Sequence, residues 1–128
     1  MRLQSDLVEL CDAALDKTLD QAKTSWDDRA AVGVVLASGG YPGSYEKGHV
    51  ISGLETNTDD TRKTFHAGTK LENGDVTTVG GRVLCATALG NSVTEAQQSA
   101  YELLKQITWK DVLYRNDIAY RAIARENK

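Results

Sequence analysis

Two glycines and an arginine, Gly80-Gly81-Arg82, interrupt an otherwise strand-like stretch, TTVGGRVLCATALG. A guanidinium is a planar fork of donors, and glycines leave neighbouring amides uncovered, so the trio has the residue types that grip a carboxylate or a phosphate. Glycines in regular structure cost about 0.5–1 kcal/mol each relative to alanine. In a strand they mark a bulge or a close approach to the backbone. The residues leave two alternatives open: an anion site, or a bulge that turns the sheet with Arg82 paired to a local acid. A second glycine-rich stretch, GGYPGSYEKG (residues 39–48), places four glycines around the only proline of the chain. Gly40, Tyr41 and Pro42 at its head fit either a substrate-facing loop or a rigid turn.

Other chemistries find little support. His49 and His66 are the only histidines, and neither has Cys, Asp or Glu at ligand spacing, so no metal site is expected. His66 reads as a strand histidine hydrogen-bonded at a sheet edge rather than as an acid or base. There is no G-x-x-x-x-G-K-[ST] phosphate loop and no G-x-S-x-G nucleophile elbow. Cys11 and Cys85 sit inside apolar patterns without metal spacing, and are expected to be buried free thiols in a reducing cytoplasm.

The elements that position these residues follow from periodicity. The 128 residues suffice for one domain with a modest core. A formal net charge of -3 disfavours nonspecific nucleic-acid or anionic-membrane binding. No apolar run approaches the roughly 20 residues of a spanning helix, and MRLQSDLVEL lacks the apolar core of a secretory signal. Leu7, Cys11, Ala14, Leu15 and Leu19 recur at helical spacing behind a Ser5 or Asp6 cap. This helix has an apolar stripe but nothing before it to pack against.

Ala30–Ala37, AAVGVVLA, reads as a buried strand. Val50 and Ile51 suggest a short strand, residues 55–62 a polar loop, and residues 63–71 a longer strand. Glu72-Asn73-Gly74-Asp75 reads as a hairpin turn. Its return strand runs from Val76, broken at Gly80-Gly81, through RVLCATALG. Ser92 and Glu95 form a capping box for a second helix, whose buried stripe is Val93, Ala96, Ala100, Leu103, Leu104 and Ile107. The tail is expected to turn helical from Asn116 or Asp117. Its residues Tyr114, Arg115, Tyr120 and Arg121 fit docking onto the domain's own sheet better than nucleic acid. The expected fold is α+β, a mostly antiparallel sheet with packed helices.

Read together, GVVLASGGYPGSYEKG, FHAGTKL, TTVGGRVLCATALG, EAQQSAYELL and YRNDIAYRAI resemble, in collinear order, the C-terminal part of the phosphoribosylamine–glycine ligase (glycinamide ribonucleotide synthetase) family. RLQSDLVELC and WDDRA resemble the segment where that family's ATP-grasp domain gives way to its C-terminal domain. The resemblance implies residues 1–25 as the terminal helix of the ATP-grasp domain and 26–128 as the C-terminal domain. It implies an ATP- and Mg2+-dependent ligase that joins glycine to 5-phosphoribosylamine in cytoplasmic purine biosynthesis. The family's acidic magnesium motif, of the type R-F-G-D-P-E-T-Q, does not occur in these residues, so Met1 is expected to be an artificial or truncated start. No catalytic residue, metal or bound nucleotide is then expected in this stretch. The remainder of the ligase would be its partner. The resemblance places Gly80, Gly81 and Arg82 towards glycine and the ribosylamine, and Gly40, Tyr41 and Pro42 in a rigid loop near the active site. The alternative is a free-standing, non-catalytic module of the same fold that binds a small molecule or a protein.

The first reading makes a direct prediction. The purified 128-residue chain should form no ADP in response to glycine. Turnover comparable to an intact ligase, lost on substitution of a residue in this chain, would contradict it.

Overall fold

The computed structural model describes residues 1–54 and 59–126. Its elements are α1 (Leu7–Leu15), a 3-10 turn (Leu19–Gln21), β1 (Ala30–Ala37), β2 (Arg62–His66), β3 (Thr69–Glu72), β4 (Asp75–Thr78), β5 (Arg82–Gly90), α2 (Val93–Leu104) and α3 (Tyr120–Glu126). The expected α+β class holds, with two antiparallel sheets instead of one: a three-stranded sheet in the order β1-β5-β2 and a β3-β4 hairpin. The strand expected over 63–71 divides between them. At Gly68 the chain crosses Gly80 so closely that a Cβ on Gly68 would lie 2.8 Å from the Gly80 Cα. The Asn73-Gly74 turn has φ of 51° and 94°, the left-handed geometry a two-residue hairpin requires.

α2 lies across one face of the larger sheet. Its Ala96, Ala100, Leu103 and Leu104 are fully buried against Val32, Val34 and Leu36 of β1 and Val83, Leu84, Ala86 and Ala88 of β5. Four of these contacts are alanines, which bring helix and sheet together with few rotamers to fix. Ser92 caps α2 by accepting from the Glu95 amide at 3.1 Å. Glu95 reaches back to the Asn91 amide, 2.9 Å away and one residue before the cap. Ile107 and Trp109 complete the core below α2.

β1 is not buried on both faces as its composition led us to expect. Val32, Val34 and Leu36 face α2, whereas Ala31, Gly33 and Val35 are exposed on the other face. Between β1 and β5 the register steps from Leu36 opposite Leu84 to Ala37 opposite Arg82. Val83 is therefore the extra residue of a β-bulge. The pair Val50–Thr77 forms only an isolated bridge. The polar loop expected over 55–62 falls partly on residues 55–58, outside the described residues.

α1 ends four residues earlier than its apolar spacing predicts. Lys17 adopts a left-handed φ of 60°. Thr18 N–H then bonds the Ala13 carbonyl at 2.8 Å and Lys17 N–H the Ala14 carbonyl at 3.3 Å. This is the double bond of a Schellman stop, made here without glycine. Asp6, rather than Ser5, caps the start by accepting from the Val8 amide at 2.7 Å. No residue of α1 is buried, and Leu15 is 80% exposed. Cys11 is therefore exposed and Cys85 half-buried, not the buried pair expected; both are free thiols. Beneath α1 the chain closes on itself. Leu3 bridges Trp26, Gln4 N–H bonds the Ser25 carbonyl at 2.9 Å and Asp27 N–H the Arg2 carbonyl at 2.7 Å. At the other end, Ala119 has a φ of 69°, and α3 begins at Tyr120 instead of Asn116 or Asp117.

An unburied helix unfolds locally at little cost. In a dilute monomer, amides of residues 11–15 should exchange on the order of a hundredfold faster than those of Val34 and Ala86. Leu15→Asn should change stability by less than about 0.5 kcal/mol. Equal protection of α1 and β5 would show that α1 is held by contacts not described above.

Candidate functional site

The bulge decides where Arg82 points. In an uninterrupted strand, residues 82 and 85 would face opposite sides. With Val83 inserted, Val83 and Leu84 are both buried, and Arg82 joins Cys85 on the face of β1 that carries Val35. The Arg82 side of the bulge is exposed, and its guanidinium has no hydrogen-bond or ion-pair partner among the described residues. The bulge is thus present, and no acid among the described residues pairs with Arg82.

The glycines before Arg82 are accounted for by the protein's own chain. Val79 N–H and Gly80 N–H both bond the Gly68 carbonyl, at 2.8 and 3.2 Å, and Gly68 N–H bonds the Arg82 carbonyl at 3.0 Å. A Cβ on Gly80 would lie 3.0 Å from the Gly68 Cα. A Cβ on Gly81 would collide with the Tyr41 ring and come within 3.1 Å of Tyr45 Cε1. Ser38, buried at the end of β1, ties this crossing to the glycine-rich loop. Its hydroxyl donates to the Gly80 carbonyl at 2.9 Å and its amide to the Gly81 carbonyl at 2.8 Å.

The loop over 39–48 is largely exposed and is held by backbone bonds. Tyr41 N–H bonds the Ser38 carbonyl at 3.1 Å, Gly43 N–H the Gly40 carbonyl at 2.8 Å and Gly48 N–H the Thr78 carbonyl at 2.6 Å. Gly40 has a φ of 93°, and the Tyr41–Pro42 peptide is cis. The Tyr41 and Tyr45 rings lie 6.4 Å apart at 56°. Glu46 receives Lys110 Nζ at 2.7 Å and lies 3.2 Å from His49 Nε2. The Lys110 hydrogen bond is the larger cause of a Glu46 carboxyl held below the usual carboxylate range. His66, exposed on β2, shares a hydrogen bond with Thr69 Oγ1 at 3.0 Å.

Tyr41, Val35 and Arg82 form a ridge between two depressions. One runs toward Ala67, Gly68 and Cys85. The other is an apolar cleft of about 430 Å³ between the open face of β1 and the tail, walled by Leu113, Tyr114, Arg115 and Ile118. The tail is anchored there by paired bonds between Ala37 and Leu113, at 2.7 and 2.9 Å. Of the residues singled out in sequence, Tyr41 meets Gly81 and lines both depressions with Arg82; Gly80 lies at the crossing behind them, and Gly40 and Pro42 flank Tyr41 in the chain without lining either depression. Sequence reasoning expected the tail to dock on the domain's own sheet, and Tyr114 and Arg115 do face β1; it missed the open face of β1 and the cleft between the two. Gly33 in the middle of the valine run was the available signal, since a strand buried on both faces has little use for a missing side chain. Among the described residues no group of three or more His, Cys, Asp or Glu is arranged to hold a metal.

Comparison with known proteins places this geometry. The family model "Phosphoribosylglycinamide synthetase, C domain" matches residues 31–121. The phosphoribosylamine–glycine ligase of Vibrio vulnificus strain CMCP6 is 64% identical over 128 residues, all of this chain and 30% of that protein. The ligase of Pseudomonas putida is 57% identical over 126 residues, 98% of this chain and 29% of that protein. The crystal structure of the Thermotoga maritima phosphoribosylamine–glycine ligase superposes with a TM-score of 0.68 at 33% identity, covering 85% of this chain and 27% of that one. The chain thus spans about 30% of the length of the curated relatives it matches.

The Gly81–Tyr41 contact can be tested directly. Gly81→Ala should destabilise by about 1–3 kcal/mol through overpacking, roughly a 5–15 °C fall in Tm for a domain this size. Adding Tyr41→Ala should recover part of that loss, because the ring that meets the new methyl is gone. Additive losses in the double variant would show that something other than the ring requires the glycine.

Proposed function

The chain belongs to the phosphoribosylglycinamide synthetase C-domain family, and on that premise we propose that it is the C-terminal portion of an ATP-dependent ligase joining glycine to 5-phosphoribosylamine in cytoplasmic purine biosynthesis. The observation that carries this reading is the match to such ligases along the whole chain. In this reading ATP and Mg2+ are held by the rest of the ligase. In the same reading the chain alone is inactive. When bound, the nucleotide activates the glycine carboxylate by phosphorylation.

The contribution of these residues is to bind and to enclose. Arg82, without a partner among the described residues and beside two depressions, supplies a charge-assisted fork for a carboxylate or phosphate of glycine or the ribosylamine. Gly80 and Gly81 let Gly68 and Tyr41 close in behind it. Gly40, Tyr41 and Pro42 form the rigid wall next to it. Residues 1–25 are assigned to the end of the ATP-grasp domain, and 26–128 to the C-terminal domain. Two exposed apolar surfaces support a docking role toward the remainder: Leu7, Val8 and Leu15 on α1, and Val35 and Phe65 on the open sheet face.

In the ligase that contains this chain, Arg82→Ala should raise KM for glycine or the ribosylamine roughly ten- to a hundredfold. That corresponds to about 1.5–3 kcal/mol for a lost charge-assisted hydrogen bond. KM for ATP should hardly change. Arg82→Lys should recover only part, since an ammonium cannot make the fork. If Arg82 merely braces the bulge, Tm falls and the kinetics of the folded enzyme stay normal.

A further inference from the structure

The tail that walls the cleft is held from behind by one line of α2, on a side distinct from the one packed on the sheet. Three successive turns of the helix each grip it. The Val93 amide at the first turn donates to both Glu126 carboxylate oxygens, at 2.9 and 3.1 Å. One turn on, Gln97 Nε2 donates to the Ile118 carbonyl at 2.7 Å. One turn further, the Tyr101 hydroxyl donates to the Arg115 carbonyl at 2.6 Å and accepts from the Ile118 amide at 3.2 Å. The Val93 contact is made by the free main-chain amide of the first turn, whereas Gln97 and Tyr101 act through side chains at the i, i+4 spacing that stacks residues on one helix face, and Ala96, Ala100, Leu103 and Leu104 take the sheet side.

The Tyr101 contacts differ in kind from the other two. A single hydroxyl satisfies a donor and an acceptor three residues apart in the tail, and so fixes the curvature of residues 115–118. Those residues supply Arg115 and Ile118 to the cleft wall opposite Arg82. The Arg115 guanidinium is itself locked in a fork on Asp117, at 2.8 and 2.6 Å. Its direction therefore follows the backbone that Tyr101 holds.

We infer that Tyr101, backed by Gln97, is a positioning residue that sets the distance between the tail wall and Arg82. It touches no substrate and acts only through residues 115–118. The inference rests on the reading that the Arg82 face meets a substrate.

Tyr101→Phe removes the hydroxyl and keeps the ring, so the core contact survives. In the 128-residue chain, amides of residues 114–118 should then exchange about five- to tenfold faster, with Val34 and Ala86 unchanged. In the ligase that contains the chain, KM for glycine or the ribosylamine should rise about fivefold, the equivalent of about 1 kcal/mol for one hydrogen bond. kcat should stay within about twofold and KM for ATP should not move. Gln97→Ala should act in the same direction, so the test does not hang on one variant. Unchanged acceptor KM in both variants overturns the inference, whether or not the tail exchanges faster. If Arg82→Ala still raises that KM, only this inference has failed. If Arg82→Ala is silent as well, the reading of the Arg82 face fails with it.

Discussion

With Leu36 opposite Leu84 and Ala37 opposite Arg82, Val83 has no partner of its own in β1, and the alternation of β5 shifts by one residue at that point. On one side of the shift Leu84, Ala86 and Ala88 fill the core under α2; on the other, Arg82 is released to the open face. Take the extra residue away and the strand must choose. Either Arg82 enters a core whose residues are fully buried, at the high cost of an unpaired buried charge, or the apolar side chains after it turn to solvent. The placement of Arg82 next to Tyr41 and Val35 depends on this step. So does the position of the tail, which bonds to Ala37 at the same step.

The glycines around the bulge serve a neighbouring purpose. Gly68 and Gly80 let two chain segments cross at a separation side chains would forbid, and Gly81 receives a tyrosine ring. Their conformational entropy cost is offset by backbone bonds that any side chain would break: two to the Gly68 carbonyl and one from the Gly68 amide. The 39–48 loop is tied to the same crossing at both ends. Its start is bonded to Gly80 and Gly81 through Ser38, and its end to Thr78.

Much of this was legible in the chain. Ala30–Ala37, the Asn73-Gly74 turn and the Ser92 cap each carry a local signal strong enough to survive any tertiary context, and the structure has all three. The failures lie where local preference was overridden at a distance. α1 stops at Lys17 although Leu19 keeps the apolar spacing, because the left-handed turn satisfies its last carbonyls first. α3 starts late because Tyr101 and Gln97 claim the amide and carbonyl of Ile118. The bulge was anticipated at Gly80-Gly81, but the unpaired residue is Val83, a choice set by packing on both neighbours. The cleft wall was legible only in outline: the tail was expected on the sheet, but not which strand or face it meets, since Leu113 to Ile118 reach β1 only through contacts some 75 to 85 residues away in sequence.

The closure beneath α1 has a mechanical meaning. The chain enters the helical excursion at Arg2–Gln4 and leaves it at Ser25–Asp27, and these two stems are bonded to each other. A torque applied to α1 is therefore met at the clasp before it reaches β1, because both ends of the excursion share one pivot. The helix and the sheet are coupled through that clasp much as a handle is coupled to a drawer, by a short fixing that transmits position but little deformation. The register of β1 against β5, and with it the aim of Arg82, is set at the bulge, at the far end of β1 from that clasp.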